Sequence, residues 1–375
     1  MPDMREAIQS LVQSWRQALA DPQRAQEETL HTLLHGYART RYGAEHGADK
    51  VSSIEEYRRA FPVVTYPQIR PLIEQVMSGD DQVLLYEPIV GWAMTRGTTG
   101  ESKFIPMTET DLESRTRCGP RALMSYVVRT NRYDILAGGV LNLNFPSVIG
   151  TMTVGDRQVT YGYSSGIYAR YNAQRSRLKL VPTQEEIDAL GGGISKEDWE
   201  NRFELAYRRA KDEKVTMIIG VTQVMLQFGH FLKKRFGVYP KVLGIELVIA
   251  SSIAGIHTRY KPALRALYGP VDVVEMYGAT EGMFGQQLDE KPYWIPNYDH
   301  FLFEVQTRHG VKMLHEMRRG EVGSLIVSTC LLPRYRIGDL ILAFGDGYFR
   351  CIGRERPFAY LRYLWHSLWD WDFWR

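Results

Sequence analysis

Residues 95–103 read TRGTTGESK, a loop that is rich in glycine and threonine and ends on a lysine. Glycine lets the backbone approach a ligand closely, and hydroxyl groups together with one cation can donate to phosphate oxygens. The segment is not a Walker loop, because two residues separate Gly100 from Lys103. The alternative is an ordinary turn without a ligand. As a cradle for a triphosphate, the loop would contribute Thr95, Arg96, Gly97, Thr98, Thr99, Gly100 and Lys103.

A second motif, YGATEG at residues 277–282, follows the apolar stretch 271–276, which predicts a strand. In open α/β sheets ligands bind at the carboxyl ends of strands, so the motif lies where a site is expected. Tyr277 offers a flat face for a purine, and Glu281 is a hard oxygen ligand suited to Mg²⁺ that bridges phosphates. The alternative is a tyrosine corner with a solvated glutamate.

A third motif, RYRIGD at residues 334–339, predicts a turn that presents the carboxylate of Asp339. An ionised aspartate can accept hydrogen bonds from both hydroxyls of a ribose. The alternative, an aspartate that caps a β-turn, is common.

The pattern of apolar residues around these motifs predicts an α/β fold. Residues 4–40 repeat apolar side chains at helical spacing with a break at Asp21-Pro22, which predicts two helices. After the glycine-rich loop, a helix is predicted over about 109–129. Short apolar strands alternate with helical stretches over residues 139–256, which is typical of a sheet with helices on both faces.

After about residue 301 the helical pattern stops, and a small β-rich subdomain is predicted. Turns are expected at residues 319–320, 336–338 and 345–347, where arginine, aspartate and glycine cluster. We expect an α/β lobe over residues 1–300, the β-rich subdomain over 301–356 and a tryptophan-rich tail over 357–375.

Composition limits the class of ligand. The 46 lysines and arginines against 43 acidic residues give a net charge of +3, without the basic excess typical of nucleic-acid binding. Any anionic ligand must therefore be held locally. Three widely spaced cysteines show no paired metal-ligand spacing and favour a reducing, cytoplasmic setting. No segment resembles a signal peptide or a membrane span.

Four segments in this order resemble the adenylate-forming superfamily of acyl-CoA ligases, luciferases and peptide-synthetase adenylation domains. They are GTTGESK at 97–103, YGATEG at 277–282, YRIGD at 335–339 and DGYFRCIGR at 346–354. Arg354 follows Asp339 by 15 positions, as that superfamily separates its ribose-binding aspartate from the arginine before its hinge.

Two further segments narrow the resemblance to one family. FPVVTY at 61–66 with IRP at 69–71, and KFIP at 103–106, resemble the auxin-responsive-promoter family, the acyl-acid amido synthetases. The similarity runs over about residues 37–354.

The resemblance implies the large N-terminal lobe of an adenylate-forming enzyme, with helix-flanked sheets and a small distorted β-barrel subdomain. It implies that Thr98, Thr99 and Lys103 contact phosphate, Tyr277 stacks on adenine, Glu281 holds Mg²⁺ and Asp339 holds ribose. Lys103 and Glu281 would be the catalytic residues. Further ATP-binding candidates are Ser251, Ser252, Gly278, Ala279, Thr280 and Arg354, and the acyl-pocket candidates are Tyr163, Ser165, Val221, Thr222 and Met283.

The reaction implied is ATP-dependent activation of a carboxylic acid as an acyl-adenylate, followed by transfer to an amine or amino acid. A thiol acceptor, as in acyl-CoA ligases, is the nearest alternative, because the adenylating half looks the same. The second alternative is a nucleotide- or acyl-binding protein without turnover.

Two features depart from the family pattern. Arg96 stands where the family usually has a small hydroxyl residue, so it is either an extra phosphate contact or a sign of altered chemistry. The 21 residues after Arg354 do not resemble the family's mobile C-terminal lobe, and we expect that lobe to be missing.

The tail is predicted to form an amphipathic helix. Its apolar residues are Leu361, Leu364, Trp365, Leu368, Trp369, Trp371 and Trp374. We favour packing on the body of the chain, with a protein partner or a membrane interface as alternatives.

Overall fold

The computed structural model describes residues 4–95, 102–175, 178–251 and 255–367, and these form thirteen α-helices and sixteen strands. The helices are α1 (Met4–Ala20), α2 (Pro22–Tyr37), α3 (Arg41–Glu45), α4 (Ile54–Ala60), α5 (Tyr66–Met77), α6 (Glu109–Cys118), α7 (Arg121–Thr130), α8 (Ser164–Ala173), α9 (Gln184–Ala189), α10 (Lys196–Asp212), α11 (Thr222–Phe236), α12 (Lys261–Tyr268) and α13 (Ala359–Ser367). The strands are β1 (Gly91–Met94), β2 (Phe104–Met107), β3 (Gly139–Leu141), β4 (Gly150–Val154), β5 (Arg157–Tyr163), β6 (Leu180–Val181), β7 (Val215–Val221), β8 (Leu247–Ser251), β9 (Asp272–Ala279), β10 (Gly282–Gln286), β11 (Ile295–Pro296), β12 (Leu302–Thr307), β13 (Gly310–Met313), β14 (Val322–Ser328), β15 (Tyr335–Gly345) and β16 (Tyr348–Arg354).

The two predicted N-terminal helices are confirmed. The Asp21 side chain accepts a hydrogen bond from the Arg24 backbone and caps α2, and Pro22 occupies the first helical turn, where a missing N–H costs nothing. The polar side chain of Gln26 then ties α2 to the C-terminal part of the chain. Its amide nitrogen donates to the carbonyls of Tyr298 (2.9 Å) and Phe301 (2.8 Å), and its oxygen accepts from the Phe303 N–H (2.8 Å).

A seven-stranded sheet forms the centre of the fold, in the order β11-β10-β9-β8-β7-β3-β6. Strands β6, β3, β7, β8 and β9 run parallel to one another, and β10 and β11 are each antiparallel to the strand before them in the chain. Helices α10, α11 and α12 pack on one face around Phe203, Phe228 and Leu264, and α7 covers the other face with Ala122 and Val127. This confirms the α/β sheet with helices on both faces, and the carboxyl ends of β7, β8 and β9 lie at one edge.

The glycine-rich segment connects two strands of a four-stranded sheet, in the order β2-β1-β5-β4. Strand β2, which was not predicted, lies between this segment and α6 and pairs antiparallel with β1. The helix predicted over about 109–129 begins at Glu109 as expected but is divided in two, since α6 ends at Cys118 and α7 begins at Arg121. Pro120 lies between them, and a proline cannot donate to a continuing helical ladder.

The last third of the chain forms a five-stranded antiparallel sheet, in the order β13-β12-β14-β15-β16. The turns predicted at 319–320 and 345–347 are confirmed. The turn predicted at 336–338 was wrong, because these residues belong to β15. Ile326 pairs with Arg336 and Ser324 with Leu340, so residues 337–339 bulge from the ladder, and Gly338 takes a φ of +87° there.

The pairing of the strands is that of an open sheet, with β13 and β16 at its edges, so closure into the expected barrel is not shown. The sheet shares an apolar core with earlier residues, in which Ile69 and Trp92 pack with Phe303, Tyr335 and Phe349. The domain boundary near residue 300 stays a prediction.

The predicted amphipathic helix of the tail is confirmed over α13, but its favoured docking on the body is not. Phe358, Leu361 and Trp365 have relative exposures of 74, 58 and 64%. Leu368, Trp369, Trp371 and Trp374 lie outside the described residues. None of the helices in the described ranges is long and apolar enough to cross a membrane.

The buried hydrogen bonds of the Gln26 side chain should contribute measurably to folding stability. We expect Gln26→Leu to lower the free energy of unfolding by roughly 2–4 kcal/mol, because two buried backbone groups, the Phe301 carbonyl and the Phe303 N–H, would lose their partner. The Tyr298 carbonyl would keep its hydrogen bond from the Thr29 hydroxyl. The control is Gln23→Leu on the exposed side of α2, where the side chain bonds Glu27, and it should change stability by less than about 0.5 kcal/mol. Equal effects of the two variants in urea denaturation would contradict this assignment.

Candidate active site

The Glu281 carboxylate lies at the tip of a hairpin. Ala279 pairs with Gly282, so Thr280 and Glu281 form a two-residue turn between β9 and β10. Strand β9 therefore extends three residues beyond the predicted end at Met276. The glutamate side chain is buried, with the residue only 6% exposed, which rules out the solvated glutamate of the alternative interpretation.

Burial raises the pKa of Glu281 above its ordinary value of 4.5. Its own backbone N–H, the Lys103 ammonium, the Tyr335 hydroxyl and the Arg354 guanidinium all favour the ionised form and oppose this rise. The desolvation of the carboxylate outweighs these contacts. The positive charges of Lys103 and Arg354 thus both act on the buried Glu281 carboxylate.

The Asp339 carboxylate lies on the bulge of β15 and joins two of the motifs. The Tyr277 hydroxyl donates to its Oδ2 at 2.6 Å, and Arg354 Nη1 lies 3.0 Å from its Oδ1. Arg354 pairs with Asp339 in the ladder between β15 and β16 and also donates to the Ile337 carbonyl at 3.0 Å. A bulge re-aims a strand side chain, which explains how this carboxylate reaches the hairpin of Glu281.

The ring of Tyr277 is packed within the protein. Trp294 stacks on it at a centroid distance of 4.7 Å and an angle of 9°, and Phe349 meets it edge-on at 5.8 Å. Burial is the main cause that raises the pKa of its hydroxyl, followed by the charge of Asp339. A purine could stack only on the ring face opposite Trp294, and the adenine role stays a prediction.

Lys103 stands at the base of the glycine-rich hairpin. The Thr95 N–H donates to the Lys103 carbonyl at 2.9 Å, and the Thr95 hydroxyl accepts from the Lys103 N–H at 3.0 Å, which closes the hairpin. The Lys103 ammonium lies 5.1 Å from the ring centroid of Tyr66, whose hydroxyl accepts from the Phe104 N–H at 3.1 Å. The other predicted loop contacts, Arg96, Gly97, Thr98, Thr99 and Gly100, lie outside the described residues.

The carboxyl ends of β7 and β8 carry further candidate site residues. Val221 pairs with Ser251, the Thr222 hydroxyl donates to the Ser251 carbonyl at 2.9 Å, and the Ser251 hydroxyl donates to the Gly220 carbonyl at 3.0 Å. These residues therefore meet at the carboxyl edge of the parallel sheet, and their binding roles stay predictions. Ser252 lies outside the described residues.

The acyl-pocket candidates divide into two groups. Tyr163 pairs with Met94 at the end of β5, and both pack in the same apolar cluster as Val221. Ser165 follows in the first turn of α8. Met283 packs in another cluster, over Gly278, where an added Cβ would lie 2.8 Å from its sulfur. The role of all five as an acyl pocket stays a prediction.

Sequence reasoning missed two residues that shape the site. Arg115 Nη2 donates to the Thr280 carbonyl at 2.7 Å, and the Tyr66 hydroxyl accepts from the N–H of Phe104, the residue after Lys103. The helical spacing of Asp111 and Arg115 was visible, but such pairs are usually exposed, and nothing local marks this one as buried.

A magnesium ion fits the carboxylate that is present. Within the described residues no cluster of three or more histidine, cysteine, aspartate or glutamate side chains could hold a metal by itself. Mg²⁺ commonly binds through one or two carboxylates together with the phosphates of a substrate. Glu281, a single buried carboxylate beside Lys103, is therefore suited to an ion that arrives with a triphosphate.

The fold is that of the adenylate-forming enzymes. The solved structure of the GH3.15 acyl acid amido synthetase in complex with 2,4-DB superposes with a TM-score of 0.78, covering 95% of this chain and 71% of that one at 17% identity. A 2-hydroxyisobutyryl-CoA ligase superposes with a TM-score of 0.61 over 87% of this chain and 73% of that one, at 15% identity. Identities this low show the fold alone.

Sequence similarity identifies the family. Residues 11–173 match the GH3 family N-terminal domain. The chain is 32% identical to the indole-3-acetic acid-amido synthetase GH3.2 of Arabidopsis thaliana over 87% of its own length and 72% of that protein. A jasmonoyl–L-amino acid synthetase of Nicotiana attenuata is 26% identical over 37% of this chain and 24% of that protein. The chain belongs to the GH3 family, which confirms the resemblance and the ligase class that it implied.

Because the pKa of Glu281 is raised, its ionised carboxylate should lower the free energy of unfolding at neutral pH. The folded protein holds this proton more tightly than the unfolded chain, so stability is lost as the pH rises above about 4.5. We expect Glu281→Gln to raise the free energy of unfolding at pH 7, by about 1.4 kcal/mol for each unit of the rise in pKa, and to change it little at pH 4.

The matched control is Glu304→Gln. Glu304 is also buried, but it pairs with Arg58 and Arg334 at 2.9 Å, and its neutralisation should destabilise the protein at pH 7. Urea denaturation at both pH values measures the difference. Loss of stability in both variants at pH 7 would show that Glu281 is a structural ion-pair partner.

Proposed function

We propose that this chain activates a small carboxylic acid with ATP as an acyl-adenylate and transfers the acyl group to an amine. The observation that carries the proposal is the buried Glu281 carboxylate, acted on by Lys103 and Arg354 and adjoining the Tyr277–Asp339 pair. A buried carboxylate with raised pKa, beside cations and at a sheet edge, is typical of a functional site.

In the first half-reaction a carboxylate oxygen of the acid attacks the α-phosphorus of ATP. The bond from that phosphorus to the bridging oxygen of the β-phosphate breaks, and pyrophosphate leaves with the electron pair. Lys103 would stabilise the charge that develops on the leaving group, through preorganised electrostatics rather than covalent chemistry. Mg²⁺ held by Glu281 would supply further charge neutralisation on the phosphate oxygens.

The Asp339 carboxylate would fix the nucleoside. Its Oδ2 accepts a hydrogen bond from Tyr277 and its Oδ1 forms an ion pair with Arg354, and each oxygen keeps a lone pair for a ribose hydroxyl. Tyr277 and Arg354 thus hold the carboxylate in place before ATP arrives. Positioning of this kind lowers the entropic part of the barrier.

In the second half-reaction the amine nitrogen attacks the acyl carbonyl carbon. The carbon–oxygen bond to AMP breaks, AMP leaves with the electron pair, and the amine loses a proton as the amide forms. An apolar acid of moderate size is the class that we propose, because Tyr163, Met94 and Val221 form an apolar cluster beside the hairpin base. The relatives' names, which specify indole-3-acetic acid and jasmonoyl–amino acid synthetases, agree with such an acid and an amino acid acceptor.

A thiol acceptor is the second candidate. The 2-hydroxyisobutyryl-CoA ligase has the same fold, and the first half-reaction would be identical. Family membership favours the amine. Mass spectrometry of products formed with amino acids or with coenzyme A distinguishes an amide from a thioester.

The proposal is tested with Mg·ATP and a panel of apolar carboxylic acids. We expect Mg·ATP to bind and acid to promote exchange of labelled pyrophosphate into ATP. Lys103→Ala should weaken Mg·ATP binding by about 10- to 150-fold, since a charge-assisted phosphate contact contributes ~1.5–3 kcal/mol.

Lys211→Ala, an exposed change on α10, serves as the control and should leave binding unaltered. Calorimetry and exchange are measured on the same preparations. Absence of Mg·ATP binding, or ATP cleavage to ADP and phosphate without any dependence on acid, would contradict the proposal.

A further inference from the structure

Asp111 and Arg115, one helical turn apart on α6, form a buried ion pair. Arg115 Nε and Nη2 donate to the two Asp111 carboxylate oxygens at 2.8 and 3.2 Å, and their side chains are 3% and 1% exposed. Burial raises the pKa of Asp111 even though Arg115 opposes the rise. Because desolvation often cancels the attraction within a buried pair, stability alone is a weak reason for its presence.

The pair is connected to the Glu281 turn. Arg115 Nη2 donates to the Thr280 carbonyl at 2.7 Å, across 165 positions of sequence. That carbonyl belongs to the peptide bond between Thr280 and Glu281. The N–H of the same peptide favours the ionised carboxylate of Glu281. Arg115 therefore fixes the peptide plane on which the carboxylate rests.

The N-terminus of α6, the helix that carries the pair, follows the hairpin of Lys103. The Thr108 hydroxyl caps α6 by accepting from the Asp111 N–H at 3.4 Å. Thr108 directly follows β2, the strand that begins one residue after Lys103. Helix α6 thus lies between the strand that follows Lys103 and the glutamate turn, which Arg115 contacts.

We propose that Arg115 is a positioning residue that sets the Glu281 carboxylate at the distance from Lys103 that Mg·ATP requires. This inference rests on the proposed function of the site. Arg115 pairs with Asp111 and donates to the backbone carbonyl of the turn, so it would act through the geometry of the turn.

The first test is Arg115→Lys, which keeps the charge but cannot form both the forked pair and the bond to Thr280. Calorimetry measures ATP affinity with Mg²⁺ and with a chelator. We expect the gain in affinity that Mg²⁺ provides to fall at least about tenfold, as for a lost charge-assisted contact, with little change in metal-free affinity.

The matched control is Arg121→Lys, in another buried forked pair, with Asp299. In this variant Mg²⁺ should increase the affinity for ATP as much as it does in the wild-type protein. A second variant, Asp111→Leu with Arg115→Met, removes both charges together, which avoids an unpaired buried carboxylate. It should show the same selective loss as Arg115→Lys.

A second readout does not require ATP. If Arg115 holds the turn, Arg115→Lys and Glu281→Gln should have non-additive effects on the free energy of unfolding. Arg121→Lys with Glu281→Gln should be additive. Failure of wild-type protein to bind Mg·ATP would refute the proposed function, and the cycle would still decide the positioning role. Additive effects of Arg115→Lys and Glu281→Gln on stability, an unchanged gain in ATP affinity from Mg²⁺, or equal losses of affinity with and without Mg²⁺ would overturn the inference.

Discussion

The burial of one negative charge organises the site. A carboxylate that loses its water must be stabilised by neighbouring donors and cations, or it takes up a proton. The groups around Glu281 only partly compensate for the lost water, so the pKa of its carboxyl group is raised. We propose that the same shortage of compensation suits the carboxylate to a cation that arrives with an anionic ligand. The cost in folding stability and the proposed capacity to bind would then have one physical origin.

Several independent elements are needed to enclose that charge. The turn between β9 and β10 carries Glu281, the closed hairpin of β1 and β2 carries Lys103, and the bulge of β15 carries Asp339. The carboxyl ends of β7 and β8 meet at the same edge of the parallel sheet. Two surface grooves lie elsewhere, near the amino ends of β3 and β7, and are lined by lysines 179, 211 and 214. They contain none of the motif residues.

Local sequence was sufficient for the parts of the fold that depend on local chemistry. The break at Asp21-Pro22 fixed the two N-terminal helices, and alternating apolar runs indicated the parallel sheet. Glu281 was selected as a candidate because its motif follows an apolar strand, and Asp339 because its motif indicated a turn. The bulge at residues 337–339 was missed because it depends on the register against β14, which is a non-local property.

The supporting residues were missed for a related reason. Asp111 and Arg115 have the spacing of an ordinary exposed helix pair, and their burial follows from packing of α6 against β10. Tyr66 lies in a segment that the family resemblance marked, but its contact with the Lys103 hairpin is tertiary. By contrast, the break between α6 and α7 had a local signal in Gly119-Pro120 that a single-helix interpretation overlooked.

The most direct measurement is anomalous diffraction from crystals of the chain grown with ATP and Mn²⁺ in place of Mg²⁺. The account predicts a manganese peak bound to the Glu281 carboxylate and to phosphate oxygens, with the ribose hydroxyls on Asp339 and the triphosphate near Lys103. A manganese–nucleotide complex bound in the groove beside Tyr207 and Val242, or one at the hairpins that leaves Glu281 without a metal, would contradict it.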